Sequence, residues 1–537
     1  MIKLTSNYRQ KSCNRCTAWH TTRDLASEPD DVEFVDEDVD WIEDENQSVN
    51  NSDDESINEA EVVDSSMDVV QYFSPTQDDT FKLLSGHKES VFCLDFDSTG
   101  KFLASGGQDH IAIIWNAATG EIEFICQGRV LLLLLLLLLL LLSLLMLLSS
   151  VVLLFMNGHD DSVNCVSFSP NGDYLCTGDM AGNIRIWLRP LIEENSKEWK
   201  LLRTETVNDL LWIKWWISPS NAVRNMNNKL SKPALLLAGD EHSHVNYWAV
   251  SSSISDNQGK CISMAYTFDL DQAALDGIIL PSSSNTKNPK LAVLHRNGDL
   301  RIWDIKTITL IGSIKLFDKY SSLSNQYGQN LEVYQMISLQ SLKNQSNTND
   351  NSNHDLLLIA GNGFICPISI KFDGELRFKI LDIIKTGDDG SVEALNCSWT
   401  HPLFAFGSIT GVLGICDAHT FRVRQKWTYI DEDDAQPIGI TSLCWSRYKP
   451  IFFTATTKGS IVAWCGITGL TGKSSSGLLT EKTPLKIWWG HKAMILYLTL
   501  PPFCKSMDDN NNDKIEPFLC TASDDSTIRY FAIDISS

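Results

Sequence analysis

The stretch GHKESVFCLDFDSTGKFLASGGQDHIAIIW, residues 86–115, decides how the rest of the chain reads. It opens on Gly-His, continues through an apolar run at 91–96, and turns at Ser98, Thr99 and Gly100. A second run at 102–105, a tight turn carrying Asp109 and a third run ending at Trp115 complete it. Short runs rich in β-branched and aromatic residues, separated by Gly, Ser and Asp turns, are antiparallel strands. A unit this small cannot bury both of its faces alone, so it requires neighbours of the same kind.

The neighbours are present. Residues 158–187, GHDDSVNCVSFSPNGDYLCTGDMAGNIRIW, repeat the unit at the same length from Gly-His to Trp. A last copy runs from Gly490-His491 to Phe531, stretched by a polar insert at 506–514. Between them the third-strand ending recurs at Trp248, Trp303, Asp417 and Trp464, with a weaker unit at 355–371. Eight markers at a period of roughly 40–50 residues, four strands each, predict an all-β fold, a WD40-type β-propeller of eight blades. At 537 residues the chain has room for one such ring over 80–537 and further segments. Residues 80–84, TFKLL, precede the first Gly-His, and the chain ends just after the last third strand. They are expected to supply the outer strand of the final blade, closing the ring without an open sheet edge.

The marker residues have a physical task. A histidine, a Ser or Thr, a turn Asp and the Trp of one blade can form a buried hydrogen-bonded chain. The first blade offers His87, Ser105, Asp109 and Trp115. The last offers His491, Thr521 and Asp525, with Phe531 in place of Trp. The second offers His159, Thr177 and Trp187, with Ala181 where the Asp is expected. The middle units keep little beyond the aromatic. Trp212, Trp215 and Trp216 read as core residues of the third blade's first strand, and 221–232, 282–288 and 344–353 as polar loops.

Outside the repeats the chain is strongly acidic. The whole carries a formal charge of -23, so nucleic acid is not expected as a direct partner. Residues 28–79 hold 20 acids and no Lys or Arg, which predicts a disordered region over 1–79. With five basic against 21 acidic residues, that region carries -16 and the remaining chain -7. Phe34, Val35, Trp41 and Ile42 stand among these acids as short apolar docking points, and Ser52 and Ser56 suit an acid-directed kinase. The first 23 residues are basic but lack the amphipathic arginine helix of an import signal. The 14 cysteines are scattered over strand positions and read as buried thiols of a reducing compartment. Cys13 and Cys16 form one CxxC without the second pair a zinc site needs.

Twelve leucines at 131–142 open an apolar segment long enough to span a membrane. A span there would put the first two blades of one closed ring on opposite sides, so no membrane is expected. Removing 129–158 leaves Cys126-Gln127-Gly128 joined to His159, an ordinary blade junction. Residues 129–158 therefore read as a leucine-rich insertion, an artefact of the gene model of the unspliced-intron kind; comparing transcript with genomic sequence tests this.

No catalytic constellation is found: HExxH, GxSxG and a post-strand GxGxxG are all missing. The sequence GITGLTGKS at 466–474 ends like a phosphate loop, but Ile467 stands where a glycine is required. His242 and His244 share a strand face without further ligands. Neither enzyme activity, metal nor cofactor is expected, and a closed ring is expected as a monomer. The acids have a clearer pattern. The loop leading into each blade's first strand lies on the same face as the Asp-bearing turns. Those loops carry Glu89, Asp160, Asp161, Asp388, Asp389, Asp431, Glu432, Asp433 and Asp434. Carboxylates gathered on one face focus a negative potential that suits a Lys/Arg-rich segment.

Residues 90–96 with 103–109, then 158–168 and CTGDMAGNIRIW at 176–187, FRVRQKW at 421–427 and GHKAMILYLTL at 490–500 resemble one eukaryotic WD-repeat family. It comprises the angio-associated migratory cell protein of animals and its fungal counterpart, the dedicated chaperone of large-subunit ribosomal protein L-ten. The resemblance covers the chain from about residue 78, apart from the leucine segment and the polar loops. It implies a ribosome-biogenesis chaperone of the cytoplasm, with the nucleus as a second location, that holds the basic segment of a newly made large-subunit ribosomal protein. The alternative is a general WD40 scaffold in signalling, cell migration or trafficking.

Overall fold

In the computed structural model, the described residues are 77–126, 158–190, 198–217, 234–250, 262–263, 273–280, 288–317, 331–339, 354–373, 375–387, 390–430, 435–467, 482–502 and 518–535. They form eight antiparallel sheets and no helix. Seven sheets take consecutive strands, lettered a to d from the innermost outward; blade 1 is Val91–Phe96, Phe102–Gly107, Ala112–Asn116 and Ile122–Ile125. The a strands of blades 2 to 7 are Val163–Phe168, Leu210–Trp216, Ala274–Leu280, Val333–Ser338, Val392–Cys397 and Ile440–Trp445. The eighth sheet combines Ile495–Thr499, Phe518–Ser523 and Thr527–Ala532 with Thr80–Ser85 as its outer strand. Each a strand packs beside the next and the eighth returns to the first, so the chain forms an eight-bladed propeller.

Packing follows from stacking sheet on sheet. The b strands of blades 2, 6 and 7 are buried at every residue, because both their faces meet a neighbouring blade. The outer strand Glu375–Ile380 instead alternates exposed and half-buried side chains, since it packs on one face only. Trp115, Trp187, Trp248 and Trp464, the third-strand markers, are each wedged out of solvent.

The seam closes as the sequence predicts. Thr80–Ser85 pairs antiparallel with Thr527–Ala532. The Asp79 amide donates to the Trp489 carbonyl at 2.8 Å, and the Trp489 amide returns a bond to the Asp79 carboxylate at 2.9 Å. Arg529 donates to the Asp78 carboxylate at 3.0 Å. Both ends of the leucine segment meet at one blade junction: Cys126 is buried between blades 1 and 2, and the His159 amide donates to His110 of blade 1 at 2.8 Å. Of the insertion read at 129–158, only Gly158 is described; residues 127–157 lie outside the described residues, as do residues 1–76.

All eight a strands slip register by one residue at their first positions, for example between Val91 and Cys93 and between Val392 and Ala394. A bulge re-aims the extra residue and bends the strand. Repeated around the ring, it sets one re-aimed residue per blade beside the lead-in loops, among them Asn164, Tyr334 and Glu393.

Candidate binding face

The polar chains fix which loops share a face. In blade 1, His87 reaches the Asp109 carboxylate through Nδ1 at 2.9 Å and the Ser105 hydroxyl through Nε2 at 2.8 Å. Trp115 donates to the same hydroxyl at 2.8 Å. The Lys88 amide donates to Asp109, tying the lead-in loop to the turn between strands b and c. Blade 8 repeats this with His491, Asp525 at 2.9 Å and Thr521 at 2.7 Å, while Phe531 packs its ring against His491. Lead-in loops and b–c turns therefore form one face.

Blade 2 corrects the sequence reading at Ala181. His159 pairs with Asp179 at 3.2 Å and with Thr177 at 2.8 Å, and Trp187 donates to Thr177 at 3.1 Å. Asp179 ends strand b two residues before Ala181, and there it also accepts from the Asn183 amide at 2.7 Å. The turn Asp is displaced, not lost. Blade 3 keeps a substitute as well. Asp240 is 0 % exposed and accepts from Asn208 at 3.0 Å and from the amides of His242 and His244. His242 and His244 thus sit in the b–c turn that Asp240 organises, not along a strand face. In blade 7 Trp464 donates to Thr454 at 2.9 Å without a histidine.

These chains are buried and charge-coupled. Burial pushes His159 and His491 below the ordinary imidazole range, and their Asp partners only partly restore it. Burial works to raise Asp525, but hydrogen bonds from His491, Thr527 and the Lys492 amide outweigh it and hold the carboxyl well below its usual range.

Of the predicted partner-binding acids, Glu89 and Asp160 are exposed and Asp161 is half-buried, all on the face so defined. Asp388, Asp389, Asp431, Glu432, Asp433 and Asp434 lie outside the described residues. Sequence reading missed three further acids. Asp209 leads into blade 3, and its carbonyl accepts from the amide of Glu241 in the adjacent b–c turn. Glu332 leads into blade 5 and takes the Tyr334 hydroxyl at 2.6 Å. Glu393, 5 % exposed, occupies the bulge position of blade 6. The Tyr334 hydroxyl also lies 2.6 Å from Asn362 Oδ1, and Asn362 bridges to Ser391, two residues before Glu393, which brings the lead-in ends of blades 5 and 6 together in one notch. Burial raises the Tyr334 phenol above its ordinary range, and Glu332 and then Glu393 push it further. A crowded pair of carboxylates beside a phenol favours an incoming cation. The signal that could have found them was position: each lies within two residues of a strand-a start.

The carboxylates form arcs, not an unbroken ring, among the described residues. Exposed Lys88 and Lys492 follow the two histidines in the lead-in loops of blades 1 and 8. No group of three His, Cys, Asp or Glu able to hold a metal occurs among the described residues. No described helix is long and apolar enough to cross a membrane. No disulfide joins the ten described cysteines.

The ring, its His–Ser/Thr–Asp–Trp chains and its acid-bearing lead-in face define a WD40-repeat β-propeller, a protein-binding fold. Residues 79–116 and 150–187 match the family described as WD domain, G-beta repeat. The chain is a homologue of angio-associated migratory cell protein: it is 24 % identical to the Homo sapiens protein over 430 residues, 79 % of this chain and 76 % of that one. The Canis lupus familiaris protein is 23 % identical over 430 residues, 79 % and 75 % of the two chains. In three dimensions it matches Saccharomyces cerevisiae Sqt1 with a TM-score of 0.59 at 15 % identity, covering 85 % of this chain and 99 % of that one. Chaetomium thermophilum Sqt1 bound to the N-terminus of ribosomal protein L10 matches at 0.58 and 15 % identity, over 85 % and 100 %.

Proposed function

We propose that this propeller is a cytoplasmic ribosome-biogenesis chaperone whose lead-in face holds the basic N-terminal segment of a newly made large-subunit ribosomal protein. The observation that carries the reading is the Glu332–Tyr334–Glu393 notch of blades 5 and 6, which shares its face with Asp160, Asp161 and Asp209 of blades 2 and 3. A partly buried carboxylate discriminates strongly for a cation, whereas rim acids such as Glu89 and Asp160 mainly speed encounter. The complex of a structurally similar propeller with the N-terminus of ribosomal protein L10 supports the client class. Such a client is held as a protein segment, with no nucleic acid in the contact. Residues 1–79, as an acidic region preceding the ring at 80–537, add long-range attraction of the same sign.

The test is binding of a labelled peptide from the N-terminus of L10 to the full chain, at low and high salt. Glu393→Lys is expected to weaken binding about 100-fold and Glu89→Lys about threefold, the latter through a slower on-rate. Undiminished binding by Glu393→Lys would remove the notch from the reading. Salt-insensitive recovery of several unrelated signalling proteins would favour the scaffold that kinship with a migratory cell protein suggests.

A further inference from the structure

The face opposite the lead-in loops carries a second, differently built surface. Blades 6 and 7 present matched a–b turns side by side, Ser398-Trp399-Thr400-His401-Pro402 and Ser446-Arg447-Tyr448-Lys449-Pro450. Each opening serine braces its own turn. The Ser398 hydroxyl accepts from the amides of Thr400 and His401 at 3.3 Å each. The Ser446 hydroxyl accepts from Tyr448 at 3.2 Å and Lys449 at 3.0 Å. Such serine-braced turns hold the residues between serine and proline in a fixed frame.

Within that frame the Arg447 guanidinium lies 5.8 Å from the centre of the Trp399 ring. Trp399 is 49 % exposed, the one exposed tryptophan among the described residues. Lys449, two residues after Arg447 in the same turn, is exposed and donates to the Ile535 carbonyl on the blade 8 side at 3.5 Å. Neither turn contains an acid. An indole held open at a rigid turn, with a guanidinium and an ammonium alongside, recognises a stretch of carboxylates interspersed with apolar side chains.

The chain contains such a stretch of sequence. Residues 30–45, DDVEFVDEDVDWIEDE, place ten acids around Phe34, Val35, Trp41 and Ile42, with no Lys or Arg. The 32 residues from 46 to 77 join it to Asp78, which Arg529 fixes to the ring. At about 3.3 Å per residue that connection can reach about 100 Å, enough to pass from the seam to either face. The lead-in face carries the same sign of charge as this stretch and repels it, while the turns of blades 6 and 7 carry the opposite sign.

We propose that residues 30–45 dock in cis on the Trp399–Arg447–Lys449 turns. The acidic segment is thereby parked on the face away from the lead-in loops, which stay open to a basic partner. The inference stands whether or not that partner is a ribosomal protein.

A carbodiimide, which joins carboxylates to lysine amines in contact, tests this on the full chain. Cross-links are expected from acids of 30–45 to Lys449, within single chains and independent of dilution. Trp399→Ala/Arg447→Glu, which retains Lys449, should reduce them about tenfold, equivalent to about 1.4 kcal/mol. The Lys486–Asp534 ion pair within the ring should cross-link equally in both proteins and reports that the variant is folded. Cross-links to Lys88 or Lys492 instead, links only between chains, or no link to Lys449 would each overturn the proposal.

Discussion

Blades 8 and 1 and the two blades facing them across the ring, 4 and 5, solve one packing problem in two ways. At the seam, each blade interior holds an imidazole, a hydroxyl and a carboxylate in a closed hydrogen-bonded chain. Across the ring the position of Ser105 is taken by Val293 in blade 4 and Ile359 in blade 5, both fully buried in one apolar cluster with Phe364 and Ile368. The strand order and the bulge are the same in all four. The polar chain is therefore one way to fill a blade, and the fold does not require it. What the seam gains is specificity of geometry: a satisfied polar network tolerates few alternative packings, and the seam is where strands distant in sequence must find each other.

The sharpest contrast is expected from one deletion on each side. Phe364→Ala removes a large buried ring from blade 5 and should cost about 3–5 kcal/mol, with a loss that does not vary with pH. Equilibrium unfolding by denaturant between pH 5 and 8 measures it. His491→Ala should cost about 2–3 kcal/mol at pH 8, because Asp525 and Thr521 are left buried without their partner. This second loss must depend on pH. Burial depresses His491 below 6.5 and hydrogen bonds depress Asp525 below 3.8. Both contributions are complete above those values and are lost as pH falls. The difference between wild type and His491→Ala should therefore shrink toward pH 5. A parallel pH dependence in the two proteins would mean that the seam chain behaves like the apolar blades.

The smallest effect concerns blade 2. Ala181 is exposed and Asp179 already serves His159, so Ala181→Asp should change stability by less than about 0.5 kcal/mol. A clear gain in melting temperature would show that the displaced carboxylate is an inferior solution.

The same contrast explains what could be read in advance. Blades 1, 2 and 8 were legible because a buried polar chain needs particular residue types at set spacings, and those leave a motif. Blades 4 and 5 were legible only as a drifting period, since Val293 and Ile359 look like any strand residue. The lead-in acids divided similarly. Glu89, Asp160 and Asp161 follow a visible Gly-His and were found. Glu332 and Glu393 were missed, because one precedes an unmarked strand and the other sits inside what reads as an ordinary strand.

By itself the amino-acid sequence determined the repeat, the eight-bladed ring and the use of residues 80–84 to close it. These depend on strand periodicity and turn residues, which act over a few positions along the chain. Only the tertiary structure decided that Asp179 replaces the carboxylate missing at Ala181, that Glu332, Tyr334 and Glu393 share one notch, and that Trp399 and Arg447 stand together. Those partners come from different strands or different blades. Their meeting depends on turn length, on the bulge at each strand-a start and on the angle between neighbouring sheets, none of which is written at a single position.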